Sequence, residues 1–341
     1  MANLSTGFVF TNQADTASDL LNGLFLDTGL QVFSLAGDDS IIGTYIYTDP
    51  SATIAGISNK GTIDTGNGDD NIIGSSDVRI GLLNNGTINT SNGNDKIAGT
   101  SAEGYGITNN GPLNTGNGND GISGSGWGGI NNNVSIDTGN GDDSINGTCT
   151  GSFGFGIYNA ATIDTGNGND VITANSISYV GIYNAVTIDT GNGNDIITGT
   201  GVQGIINDST INTGTGNDVI TGIGTGSYAI FNSGTINTGN GNDTVNALDG
   251  GFGDLGTIDL GIGNDKLKGF GSGKFIGGLG TDVITFNPGT YTITGVPSVG
   301  GQYTISDGIT SMYVTGFERF GPGADRQNFL AAAAFGSVTF G

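Results

Sequence analysis

Histidine is absent from this chain of 341 residues, and cysteine occurs once, as Cys149. The chain therefore has no residue for a histidine-based catalytic triad and no pair of cysteines for an internal disulfide. Glutamate occurs only as Glu103 and Glu318, and eight basic residues leave a net charge of -23. This acidic balance, without a basic patch, argues against a nucleic-acid partner. No run approaches the roughly 18 apolar residues of a transmembrane helix, so we expect no membrane span.

Glycine, in contrast, is abundant and periodic, with 68 residues. The motif T-G-x-G-x-D-x-U, where U is a large aliphatic residue, recurs along most of the chain. An apolar residue stands seven positions before each aspartate, as Ile63 does before Asp70 and Ile88 before Asp95. A repeat in a constant frame predicts an all-β fold, a parallel β-solenoid with about 25 residues per coil.

The residue types explain the turn of each coil. Gly66 and Gly68 can adopt positive φ angles and bring their carbonyl oxygens close together. Asp70 adds a carboxylate, and Ile72, two positions later, shares its inward face because side chains alternate along a strand. Calcium prefers six to eight carboxylate and carbonyl oxygens, which two turns stacked one strand spacing apart can supply. The motif therefore predicts calcium ions between adjacent coils.

The turns resemble the RTX family of secreted bacterial proteins, whose nonapeptide GGxGxDxUx binds calcium in a right-handed β-roll. Residues 277–285 (GGLGTDVIT) match that nonapeptide at every defined position, and residues 165–173 (TGNGNDVIT) match with threonine first. RTX turns follow each other about every nine residues, whereas these recur about every 25, which implies one calcium row along one edge. The ligands implied are Asp39, Asp70, Asp95, Asp120, Asp143, Asp170, Asp195, Asp218, Asp243, Asp265, Asp282, Gly66, Gly68, Gly166, Gly168, Gly191, Gly193, Gly278 and Gly280.

A second repeat, Gly-Ile-x-Asn, predicts a buried ladder of asparagine amides. Asn59 and its counterparts stand four residues before the next apolar position. The distance from turn aspartate to asparagine varies, but by even numbers: 14, 12 and 16 residues in three coils. Even insertions preserve the alternation of inward and outward side chains, so one corner of the coil is predicted to vary in length. The odd spacing from Asp243 to Asp254 predicts that the array ends nearby.

We expect three regions: an N-terminal cap at residues 1–33, the calcium-binding solenoid at 34–285, and a β-rich cap at 286–341. The last region has strand-like patterns, and residues 325–335 could form one short helix. Residues 1–10 lack the features of a secretory signal peptide. The resemblance to RTX proteins implies export from a Gram-negative-type bacterium through a type I channel, directed by a C-terminal signal. The expected location is therefore extracellular or on the cell surface.

Repeated acidic turns favour a structural role over catalysis. The sequence predicts a non-enzymatic, calcium-binding building block of an extracellular coat, matrix or self-assembling filament, with about ten ions as its cofactors. Copies of itself, packed head-to-tail or laterally, are the expected partners, and a cell-surface polysaccharide is a further candidate. A stripe of outward apolar residues suggests lateral contacts: Leu83, Tyr158, Tyr183, Ile206 and Phe231.

Two alternatives remain open. Outward rows of threonine, including Thr162, Thr187 and Thr210, and of asparagine, including Asn67 and Asn92, resemble the ice-binding segment of a giant RTX adhesin. This favours an ice-binding or adhesive surface module, although threonine is also a good strand former. Paired acids on a β-helix can also hydrolyse or cleave polysaccharides, and a deep acidic groove over the variable corner would favour such a carbohydrate-active enzyme.

Overall fold

The computed structural model describes residues 2–3, 11–19, 23–46, 55–295, 301–321, 327–328 and 337–340. In these ranges the structure is all-β and contains no α-helix. The fold is a parallel β-solenoid, which confirms the fold class predicted from the repeat. The chain forms two compact units, residues 1–182 and 183–341. Each unit is described by itself below.

Three kinds of strand alternate along the first unit, and each kind forms its own parallel sheet. The first sheet contains Thr16–Asp19 and the strands that follow the glycine turns, which are Ser40–Tyr45, Asn71–Ser76, Lys96–Ser101, Gly121–Gly126, Ser144–Cys149 and Val171–Ser176. The second contains Ala2–Asn3, Leu24–Leu26, Ala55–Asn59, Ile80–Asn84, Tyr105–Asn109, Gly128–Asn132 and Ile157–Asn159. The third contains Gln31–Phe33, Thr62–Asp64, Thr87–Asn89, Leu113–Asn114, Ile136–Asp137 and Thr162–Asp164.

The second unit repeats these three sheets and adds antiparallel strands. Its first sheet contains Ile196–Gly201, Val219–Gly224, Thr244–Asp249, Lys266–Lys268, Val283–Thr285, Arg319–Phe320 and Gln327–Asn328. Its second sheet contains Gln203–Asn207, Ile230–Asn232 and Phe252–Gly253, and the strand Val180–Asn184 spans the boundary between the units. Its third sheet contains Thr187–Asp189, Thr210–Asn212, Thr235–Asn237, Thr257–Asp259, Gly273–Ile276, Gly289–Gly295, Gln302–Ser306, Ser311–Thr315 and Ser337–Phe340. Ile262–Gly263 pairs with Leu279–Gly280 separately.

The core is a set of aliphatic columns, because equivalent residues of successive coils pair in register. Ile72 pairs with Ile97 in the first sheet, and Ile63 pairs with Ile88 in the third. All four side chains are fully buried. Full burial of such a side chain contributes about 1.5–3 kcal/mol, so each coil gains most of its stability from its few inward aliphatic residues.

The asparagine repeat forms the buried ladder that the sequence predicts. In the first unit, Asn59 donates from Nδ2 to Oδ1 of Asn84 (2.8 Å), and Asn84 donates to Asn109 (2.9 Å). In the second unit, Asn207 donates in the same way to Asn232 (2.8 Å). The same amides also donate to backbone carbonyls, as Asn59 does to Thr87 (2.9 Å). An amide both donates and accepts, so the ladder satisfies its buried polar groups by repetition.

The odd spacing near Asp254 is absorbed by a β-bulge. Thr221 pairs with Asn246, but Ile223 pairs with Asp249, so the strand Thr244–Asp249 carries one extra residue. A bulge inserts a residue without reversing the faces of the strand beyond it. Phe252, which pairs with Ile230, therefore still points into the core.

Strands are present in both of the predicted cap regions. In residues 1–33, the predicted N-terminal cap, Thr16–Asp19 and Gln31–Phe33 pair in parallel with the strands of the next coil. In residues 286–341 the predicted strands are present and pair antiparallel. Of the predicted helix at 325–335, Gln327–Asn328 is a strand paired with Arg319–Phe320, and the rest lies outside the described residues.

The predicted apolar stripe is less exposed than its outward position suggests. Leu83 is 6% exposed, so its assignment as an outward surface residue is wrong. The other four members are half-buried. Alternation along the strand sets their direction but not what packs over them.

Replacing Asn109 by alanine should destabilise the protein by about 1–3 kcal/mol, because it removes the acceptor of one N–H of Asn84 and the donor to Oδ1 of Asn132 in the buried ladder. The matched control is Asn110→Ala, one residue further on, whose exposed side chain bonds to Asn85. This surface change should stay within about 0.5 kcal/mol. Urea unfolding of both variants measures the difference. Equal destabilisation by the two substitutions would show that the buried ladder contributes no more to the free energy of unfolding than the exposed one.

Candidate functional site

The glycine turns stack so closely that most of their glycines leave no room for a side chain, although Leu35 and Ser91 take the first glycine position in two turns. Gly66 and Gly68 have φ angles of 84° and 138°, which side-chain-bearing residues rarely adopt. A Cβ atom on Gly93 would lie 1.8 Å from the carbonyl oxygen of Gly68. The backbone of each turn also bonds to the next, as Gly68 donates to the carbonyl of Asn92 (2.8 Å). Tight stacking therefore brings the aspartates of successive turns together.

The turn aspartates form a ladder of backbone-to-carboxylate hydrogen bonds. In the first unit, the N–H of Asp70 donates to Oδ1 of Asp95 (2.8 Å), and the N–H of Asp95 donates to Asp120 (2.8 Å). In the second unit, the N–H of Asp218 donates to Asp243 (2.8 Å). These bonds join aspartates of neighbouring coils from Asp39 to Asp170 and from Asp195 to Asp282. The predicted acids are thus brought together in pairs.

Sequence reasoning missed two members of the ladder. At one end, the N–H of Asp15 donates to Oδ1 of Asp39 (2.7 Å). At the other end, Oε2 of Glu318 accepts from the N–H of Asp282 (2.7 Å). Neither residue follows a glycine turn. Phe320, buried two positions after Glu318, repeats the spacing of Ile72 after Asp70, and this acid–x–apolar pattern is the signal that could have found Glu318.

The second carboxylate oxygen of the ladder residues is buried without a hydrogen bond. The aspartate side chains are 0–2% exposed, and Oδ2 has no partner of normal geometry among the described residues. This holds for Asp39, Asp70, Asp95, Asp120, Asp143, Asp218, Asp243, Asp265 and Asp282. A buried carboxylate oxygen without a partner costs free energy, which a proton or a cation would recover.

Burial raises the pKa of these carboxyl groups. The pKa rises to about 6 for Asp70 and Asp282 and to about 7 for Asp95, Asp143, Asp218 and Asp265. Two hydrogen-bond donors lower the pKa and so oppose this rise. For Asp70 they are the backbone N–H of Asp39 and the hydroxyl of Thr65, which stands five residues before Asp70. The negative charges of neighbouring aspartates raise the pKa further, as those of Asp120 and Asp70 do for Asp95.

The available ligands match a hard cation in type. Carboxylate, hydroxyl and carbonyl oxygens are the atoms that calcium prefers. Within the described ranges, however, no group of three or more Asp, Glu, His or Cys side chains could hold a metal ion. A site would therefore combine one carboxylate from each of two coils with hydroxyl and backbone oxygens.

The predicted glycine ligands form the turns, but part of their carbonyl capacity is already used. Gly166, Gly168, Gly191, Gly193, Gly278 and Gly280 all have positive φ angles. The carbonyls of Gly66 and Gly191 accept N–H groups from the next turn, at 3.4 and 2.9 Å. A carbonyl oxygen has a second lone pair, so these glycines remain candidate ligands.

The outward asparagine row is a second ladder, which bears on the ice-binding alternative. Asn92 donates from its amide to Oδ1 of Asn67 (2.6 Å), and Asn117 donates to Asn92 (2.7 Å). In the second unit, Thr215 donates to Asn192 (2.7 Å). These side chains hydrogen-bond to one another along the ladder, so fewer of their donors and acceptors remain to order water molecules. The row therefore gives the ice-binding alternative little support.

Without added metal, the protein should become less stable as pH rises from about 5 to about 8. The folded-state pKa values near 7 lie above the ordinary aspartate pKa of 3.8, so the folded state binds more protons than the unfolded state in this interval. Its advantage is lost as pH rises through the folded pKa. Melting temperatures in chelator and high salt measure this, because salt screens the exposed charges more than the buried ones. A melting temperature that is constant or rises with pH would contradict these pKa shifts.

Comparison with known proteins supplies no family name. No protein-family model matches the chain, and no curated protein matches its sequence. Among the described residues there is also no helix that is long and apolar enough to cross a membrane. The resemblance to RTX proteins therefore rests on the turn motifs and on a fold that is consistent with a β-roll repeat.

Proposed function

We propose that this chain is a calcium-stabilised structural solenoid that serves as a building block of an extracellular assembly. The observation that carries the proposal is the column of buried aspartates whose Oδ2 atoms lack partners. A protein that places a carboxylate in every coil, at a cost to its own folding, needs a cation or a proton to recover that cost. Calcium has the matching ligand preference.

Each proposed ion lies between two neighbouring coils. Asp95 and Asp120, for example, keep Oδ1 on the ladder N–H groups and use Oδ2 toward the ion. Bound calcium would supply positive charge that neutralises the pair and links the two coils. The hydroxyls of Thr90 and Thr115, five residues before these aspartates, are further candidate ligands. Because the ligands come from two coils, ion binding and folding are coupled.

The extracellular part of the proposal follows from affinity and charge. A site with few carboxylates binds calcium weakly, and extracellular modules work at about 10⁻⁴ to 10⁻³ M calcium. A net charge of -23 opposes association of copies until cations neutralise part of it. Export by a type I channel is part of the proposal and rests on the RTX resemblance.

Self-association is proposed through strand edges. Among the described residues, Thr16–Asp19 and Gln31–Phe33 are the first strands of their sheets. Phe33 is 47% exposed beside this edge. An open edge can pair with another chain, and a contact between two different ends builds an open filament.

Calcium should raise the thermal stability of the wild-type protein at about pH 8, and Asp143→Asn should reduce this gain. The amide oxygen of the substituted side chain can still accept a hydrogen bond from the N–H of Asp120, but the substitution removes the negative charge that attracts a cation. The matched control is Asp142→Asn, one residue earlier, where the exposed carboxylate bonds to Asn169. Calcium titrations followed by circular dichroism and melting compare the three proteins.

The control should keep the wild-type response to calcium. In chelator, Asp143→Asn should melt no lower than the wild type, because a neutral side chain costs less to bury. Circular dichroism and melting that ignore both calcium and chelator would reject the calcium assignment.

Calcium-loaded protein should form extended assemblies, and Phe33→Lys should suppress them by placing a charge at the strand edge. Ile177→Lys is the control, since this exposed side chain lies in a corner of the same unit, away from the edge. Light scattering and electron microscopy measure the size of the particles. A strictly monomeric wild type in calcium at high concentration would reject the assembly, while leaving the calcium prediction intact.

A further inference from the structure

A cleft over the variable corner of the first unit holds the one tryptophan of the chain. The cleft has a volume of about 650 Å³ and is lined by residues 103–105, 127–128 and 150–154. Trp127 is 56% exposed and Phe153 is 85% exposed. Single exposed apolar residues are common, but exposed aromatic side chains that line one cleft form an apolar patch, and such patches often mark binding sites. The buried core and the turn ladder give no reason for either residue to be here.

The cleft arises from unequal corner lengths in three successive coils. Between the strands of the first and second sheets, the middle coil has only Trp127, the coil before it has residues 102–104, and the coil after it has residues 150–156. A short corner between two longer ones leaves a notch with Trp127 at its floor. The even spacings of 14, 12 and 16 residues seen in the sequence are the origin of this notch.

The backbone of the notch is fixed by hydrogen bonds. The N–H of Trp127 donates to the carbonyl of Gly104 (2.8 Å), and the carbonyl of Trp127 accepts from Sγ of Cys149 (2.7 Å). Thr150 donates its N–H to the carbonyl of Gly126 (2.7 Å). The backbone at Trp127 is therefore held from both neighbouring coils, which fixes the floor of the notch.

Aromatic surfaces and a few polar groups line the notch together. The ring of Tyr105 lies against Gly128, where an added Cβ would be 2.2 Å from a ring carbon. Glu103 supplies the single carboxylate among the lining residues, and Ser152 and Thr150 supply hydroxyls. A preformed cleft with apolar walls and a few polar groups is typical of a small-molecule site.

We propose that this cleft binds a neutral carbohydrate chain. The apolar C–H face of a sugar ring can cover the exposed indole, while Glu103 accepts hydrogen bonds from sugar hydroxyls and the indole N–H donates one. Three coils about 4.8 Å apart match the length of a short oligosaccharide that lies along the notch. The negative charge of Glu103 and of the whole chain disfavours acidic sugars and phosphates.

The lining favours binding without cleavage. Hydrolysis of a glycoside normally uses two carboxylates on either side of the bond. Glu103 has no second carboxylate beside it among the residues of the cleft. This site goes beyond the structural role proposed above, and it would attach an assembled coat to a polysaccharide surface.

Trp127 is the only tryptophan, so its fluorescence reports on this site alone. The calcium-loaded protein is titrated with neutral hexasaccharides of glucose, xylose, mannose and galactose, up to millimolar concentration. We expect a saturable spectral change, and protection of the indole from acrylamide quenching, with at least one of the four. High salt should leave this binding unchanged, because the ligand is uncharged.

Two variants test the geometry and retain the reporter. Phe153→Ala should weaken binding by about fivefold or more, since aromatic contacts add to the area that is buried. Glu103→Gln should weaken it by a smaller factor, because the amide still accepts hydrogen bonds. The control is Tyr313→Ala, an exposed aromatic of the second unit, which should bind as the wild type does. Circular dichroism shows that each variant is folded.

Three results would overturn the proposal. The first is no saturable change with any of the four sugars, and the second is equal affinity of Phe153→Ala and wild type. The third is displacement of the sugar signal by tetramethylammonium together with loss of binding in high salt. That result would identify the cleft as a site for a cationic group, held by cation–π contacts and Glu103.

Discussion

The hydrogen bond from the N–H of one turn aspartate to the carboxylate of the next holds neighbouring coils in register. It lies on the inward side of a turn whose glycines leave no room for a Cβ atom. Once the turns are aligned, equivalent residues of the three strands also align, and the aliphatic columns and the amide ladder follow. A shift by one residue would turn the aliphatic side chains outward, so the alignment is strongly determined.

The asparagine and aspartate ladders both bury polar side chains, but only the asparagine ladder provides a hydrogen-bond partner for both ends of each side chain. The amide of Asn84 accepts from Asn59 and donates to Asn109, so both of its ends are satisfied. The carboxylate of Asp95 can only accept, and its Oδ2 remains without a partner. The resulting cost raises the pKa of Asp95 to about 7. This difference makes the aspartate edge the part of the fold that responds to protons and cations.

Residue types vary more at the corners of the coils than in the repeated core. Most core positions of the repeated coils hold aliphatic residues, glycine, threonine, asparagine or aspartate, because each contacts its counterparts in the adjacent coils. A corner meets no such restriction as long as its length changes by an even number. Trp127, Phe153 and Glu103 lie at corners for this reason. Stability and recognition therefore occupy separate parts of each coil.

The sequence by itself determined the fold class, the strand frame, the inward aspartates and the amide ladder, since these depend on periodicity, which local spacing encodes. It also indicated an irregularity near Asp254, which the structure resolves as a bulge. Only the tertiary structure decided the burial of Leu83, the last rung at Glu318 and the cleft around Trp127. These features depend on which residues of different coils meet. Contacts across coils arise from stacking and corner length together, and neither can be read from one repeat.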